Sequence, residues 1–113
     1  MTDTIEYINW FNSPNWLANI VLGTAGRRYD FLANWNVRDN SWYITINLAN
    51  ENIITGVPLR LNTNLIQYSS SKDNPKCILI PRCDDENIDR ITYEHMTSGI
   101  VKLYHILPEN ISE

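Results

Sequence analysis

The sequence predicts an all-β fold, a small antiparallel β-sandwich or partly closed barrel built mainly from meander hairpins, with little helix. Two stretches in its first half alternate apolar and polar residues with period two, the mark of strands buried on one face. Short apolar runs recur between Gly, Asn, Asp and Pro at the spacing of an antiparallel meander, and no stretch sustains a helical period. A chain of 113 residues, 43% hydrophobic with four Trp, six Tyr and two Phe, suits one domain and fills a core without metals or disulfides.

Residues 1–15 form an acidic, aromatic N-terminal arm carrying Tyr7, Trp10 and Phe11 and ending in a Ser13-Pro14-Asn15 break. Neither period is evident, so an irregular arm or short helical turn is expected. Its aromatics are too few for a core of their own and must pack on the body or on another chain. Tyr7, Trp10, Phe11 and the following Trp16 are therefore candidate interface residues.

A single β domain is expected over residues 16–108, with a short tail at 109–113. WLANIVLG is the first strand, and Gly23-Thr24-Ala25-Gly26 supplies glycines for a hairpin loop. The next strand, 27–36, places Tyr29, Phe31, Ala33 and Trp35 on one face. Across the Val37–Ser41 turn, Trp42, Ile44, Ile46 and Leu48 share a face, with Tyr43, Thr45 and Asn47 opposite. Trp35 and Trp42 then lie at the two ends of one turn and form a lid on the core, while Asp39 and Asn40 suit the turn.

A turn at Asn50-Glu51-Asn52 leads to IITGVPLRL. Gly56 and Pro58 interrupt a regular ladder there, so an edge or bulged strand is expected. SSSKDNP reads as an exposed loop, CILIPRC as a buried strand and DDENID as an acidic loop. A short helical segment is expected within 88–95. The last strand, 100–107, is apolar on both faces apart from Lys102, as for a central or covered strand.

Little in the sequence supports catalysis. His95 and His105 stand outside HExxH and Cys/His arrays, and there is no GxSxG elbow, Walker loop or GxGxxG. The acidic run Asp84-Asp85-Glu86 lacks calcium-loop spacing. Cys77 and Cys83 lie roughly 20 Å apart if their segment is extended, beyond disulfide reach, so reduced thiols are expected. No enzyme activity, cofactor or metal is expected. The formal charge of −4 argues against nucleic acid. MTDTIEYINWF has no signal-like pattern, and no apolar run approaches the roughly 18 residues of a membrane span.

The stretch GTAGRRYDFLANWNVRDNSWYITINLANENIITGVPLRLNTNLI resembles the baseplate plug proteins of contractile-tailed bacteriophages, first characterised in a cyanophage baseplate. A Gly-containing hairpin leads through the strand of Tyr29 to the Trp-Asn-x-Arg turn of Trp35, Asn36 and Arg38. Trp42 and Tyr43 match the following strand start, Leu48 its end, and Gly56 and Leu59 the next strand. Gly99, Val101, Leu103 and Tyr104 resemble the family's closing strand. The likeness spans roughly residues 16–107, departing at SSSKDNPKC and at Pro81-Arg82.

This resemblance implies a structural virion protein without catalytic residues, assembled in the host bacterial cytoplasm into the tail baseplate. It implies packing around the hub, spike and tail tube proteins in a symmetric, multi-copy arrangement, with no nucleic acid or membrane partner. The alternative from the residues is a small β module that recognises a peptide or carbohydrate through Trp and Tyr side chains. A hydrolase built on Asp84–Asp89 is more distant.

Overall fold

The computed structural model describes residues 5–23, 27–49, 51–68, 77–83, 85 and 87–107. The order is β1 (Ile5–Tyr7), β2 (Asn15–Val21), β3 (Arg28–Asn36), β4 (Ser41–Leu48), β5 (Glu51–Pro58), a 3₁₀ turn (Leu65–Tyr68), β6 (Ile78–Cys83), α1 (Tyr93–Thr97) and β7 (Val101–Ile106). The strands form two open antiparallel sheets, β2-β3-β4-β5 and β1-β7-β6, not closed into a barrel.

The meander β2 to β5 follows from alternation. Tyr29, Phe31 and Ala33 of β3 and Trp42, Ile44 and Ile46 of β4 are buried and face Leu79, Val101 and Leu103 of the second sheet in one continuous core. Trp35 and Trp42 pair directly across the β3–β4 ladder. The turn between them is held by its own residues: the Asp39 N–H donates to Asn36 Oδ1 at 3.0 Å, and the Ser41 hydroxyl to the Asp39 carbonyl at 3.1 Å. Asn40 takes φ +51°, a left-handed conformation that Asn tolerates.

β5 is both an edge strand and a bulged one. Its register slips between Ile44 and Ile46 of β4 and again between Ile46 and Asn47. The second slip turns Ile53 and Ile54, adjacent in sequence, both into the core. Gly56 sits at φ +57° within the first, and its N–H donates to Thr45 Oγ1 at 3.0 Å.

Three expectations are corrected. The segment taken as an irregular arm contributes β1, which pairs with β7 from Ile5↔Ile106 to Tyr7↔Tyr104. Three residues are too short to show a period in sequence. Glu51 and Asn52, placed in a turn, belong to β5, since Glu51 pairs with Leu48 and Asn52 with Asn47. The helix starts at Tyr93, not near Ile88, because Thr92 is its N-cap: Thr92 Oγ1 accepts from the His95 N–H, and His95 Nδ1 accepts from the Thr92 N–H. Pro81 sits inside β6, the strand expected at CILIPRC. Its carbonyl accepts from the Asn62 N–H at 2.8 Å, so the side on which it lacks an N–H faces away from β7 and no ladder bond is lost. The loop at SSSKDNP, residues 24–26, Asp84, Glu86 and the tail at 109–113 lie outside the described residues.

Candidate functional site

One end of the sandwich is filled by aromatic rings. After β1 the chain crosses from the small sheet to the large one, tied by Ile8 N–H to the Leu103 carbonyl at 2.9 Å and by Trp35 N–H to the Pro14 carbonyl at 2.7 Å. This crossing delivers Trp10 into the core end. Its ring stands nearly perpendicular to Trp16 and Trp42, with centroids 5.0 and 5.1 Å away, and 6.1 Å from Phe31. Trp16 stacks on Phe31 at 5.6 Å, and Tyr93 of α1 stacks on Trp42 at 5.3 Å while meeting Trp35 edge-on.

Trp42 is 0% exposed, whereas Trp35, Trp10 and Trp16 are half-buried against the core. Trp42 is thus the buried member of the lid pair and Trp35 its rim. The buried indole N–H groups of Trp10, Trp16 and Trp42 have no hydrogen-bond acceptor.

The four candidate interface residues divide. Trp10 and Trp16 are largely consumed by the chain's own core, the first of the two packings open to them, because the crossing from β1 to β2 runs over that core. Tyr7 and Phe11 remain 49% and 50% exposed. Sequence reasoning passed over Leu17 and Val21, which project from the outer face of β2, as well as Val37, 76% exposed in the β3–β4 turn, and Ile100. The parity of β2 was the available signal, since Leu17, Asn19 and Val21 alternate with the inward Trp16, Ala18 and Ile20.

The residues of the family likeness also divide by role. Tyr29, Trp42, Leu59 and Leu103 are buried, and Leu48 packs against the core. Asn36, Gly56 and Gly99 shape the backbone: Asn36 caps its turn, and the glycines take φ +57° and +85°. Arg38, Tyr43 and Tyr104 look outward. Arg38 is exposed in the turn beside Val37, and Tyr43 donates to Asp39 Oδ2 at 2.7 Å, a bond to a carboxylate that raises the phenol pKa. Tyr104 meets Tyr7 edge-on at 6.3 Å on the outer face of the small sheet.

The nucleophiles and histidines have structural surroundings. Burial pushes the Cys77 thiol up to about 12, which leaves it protonated and unreactive at neutral pH; Cys83 is half-buried, and both thiols are free. His95 caps α1. His105 is buried in β7, where its Nε2 accepts from the Gly23 N–H at 3.1 Å and joins the two sheets. Among the described residues, no group of His, Cys, Asp and Glu has the arrangement of a metal site, and no helix is long and apolar enough to cross a membrane.

A family model described as cyanophage baseplate Pam3 plug gp18 matches residues 5–108, which takes in both sheets and the aromatic end between them. No curated protein matches the chain.

Proposed function

The chain belongs to the cyanophage baseplate plug family, and from that membership we propose that it is a structural component of a contractile-tailed phage baseplate, packed around the central hub, the spike and the end of the tail tube. The observation that carries this reading is the extent of the match, from β1 to the end of β7. On this reading the protein has no catalytic role. It joins the baseplate in several symmetric copies, assembled in the host cytoplasm, and belongs to the virion tail. Tyr7, Phe11, Leu17, Val21 and Val37 supply exposed apolar surface for neighbours.

Packing supports the structural reading over a ligand-recognition module. A sugar or peptide platform needs accessible ring faces, whereas Trp42 is fully buried and Trp10, Trp16 and Trp35 lean on the core. A density map of the baseplate from particles produced with and without this gene tests the proposal. Density for the fold beside the hub and tube end, absent from the deletion, is expected. An unchanged baseplate in the deletion would refute it.

A further inference from the structure

We propose that the outer face of the β1-β7-β6 sheet docks an acidic, apolar segment of a neighbouring baseplate protein, an inference that rests on the structural reading above. Antiparallel pairing sets Arg82 of β6 directly opposite Lys102 of β7, on the face turned away from the core, and both are exposed. Like charges facing each other across a ladder are destabilising. In a chain with thirteen acidic and nine basic residues, counter-ions are plentiful, yet among the described residues neither Arg82 nor Lys102 makes an ion pair. The Lys102 ammonium lies 4.9 Å over the Tyr7 ring, which offsets part of the repulsion but supplies no negative charge.

The surroundings of this pair are concave and mix polar with apolar groups. Arg82, Lys102, Ile100, Tyr104, Ile106 and Asn62 help line a concavity of about 500 Å³, and among the described residues no acidic side chain lines it. Ile100 is 51% exposed there. Ile80, opposite Tyr104 in the same ladder, is buried beneath this face. A carboxylate set between guanidinium and ammonium groups gains charge-assisted hydrogen bonds and removes the like-charge penalty, while an adjacent apolar side chain fills the space beside Ile100 and Ile106. A second copy docking face to face through a two-fold axis sets one cation pair against another and is disfavoured. Two cations on a protein of charge −4 are too few to hold a polyphosphate backbone.

The test is a pull-down and affinity titration of the full-length chain with each hub, spike and tube protein of its own phage, at low and high salt. The Arg82→Gln/Lys102→Gln pair removes both charges with little change in shape, and Arg90→Glu serves as a charge change at an exposed residue that does not line the concavity. The double variant is expected to keep or raise its thermal midpoint while binding about tenfold or more weaker, with reduced salt dependence, and the Arg90 variant to bind as the native chain does. Binding of the double variant at native strength overturns the proposal but leaves the baseplate function intact. Native self-association that the double variant abolishes also overturns it, by making a second copy the occupant. If the native chain captures none of the baseplate proteins, the functional reading fails and this inference with it.

Discussion

At the residue scale, equal residue types do unequal work according to what covers them. Trp42 is enclosed by Trp10, Trp35 and Tyr93, so Trp42→Ala should cost about 3–5 kcal/mol, as for other buried large aromatics. Trp35 is on the rim and should cost less, about 1–3 kcal/mol on the same scale. Urea unfolding of the two variants orders them, and equal losses would contradict the core-and-rim assignment. The cysteines differ in the same way. Cys83 should react with an alkylating reagent in the native protein well before Cys77, with both reacting after denaturation.

Cys77 also implies an alkaline limit. Its folded pKa, about 12, lies above the unfolded value, so the folded state binds the extra proton in between. Its contribution is fully present below about pH 8.5 and is lost as pH rises toward 12. Cys77→Ala should flatten the fall in stability over that window relative to the native chain. Parallel pH curves for the two proteins would rule this out.

At the element scale, what was legible in the sequence depended on whether one face of a strand meets water. The strands β3 and β4 declare themselves because Tyr29, Phe31 and Ala33, like Trp42, Ile44 and Ile46, alternate with polar neighbours. Gly56 and Pro58 disclosed the bulged edge of β5. By contrast, β1 is three residues long and finds its partner at the far end of the chain, and α1 is marked by a capping box with His95 where Glu or Gln is usual. The charged face of the small sheet was illegible for a related reason. β6 and β7 are apolar on both faces, so periodicity does not tell which side Arg82 and Lys102 share.

The closing strand shows what its glycine contributes. Gly99 follows α1 at φ +85°, with nothing within 4 Å of where a Cβ would stand. Gly99→Ala should therefore cost about 1–2 kcal/mol through backbone conformation alone, and Gly99→Asn less, since Asn visits this region more readily. Thermal melts of the two variants check the order. An Ala variant as stable as the native chain would remove the conformational argument.

At the scale of the whole molecule, the N-terminal segment joins the two sheets, and this sets the effect of removing it. β1 covers one edge of the small sheet, Ile8 bonds to β7, Trp10 plugs the aromatic end, and the Pro14 carbonyl receives the N–H of Trp35 on β3. Deleting residues 1–13 should therefore expose Trp42 and Phe31 and free one side of β7, producing a large loss of stability instead of a folded but assembly-deficient domain. Trp10→Ala alone should cost about 2–4 kcal/mol, somewhat below a fully buried Trp. Tyr7 and Phe11 are half-exposed, and on the proposed function that surface is for a neighbour. Phe11→Ser should leave the midpoint within a few degrees of native yet reduce incorporation into baseplates, since partly exposed aromatics recover their full burial only against a partner. Calorimetry beside particle incorporation separates the two roles within one short segment. A truncated chain that melts like the native protein would sink the bridging role, and a Phe11 variant that incorporates normally would sink the contact.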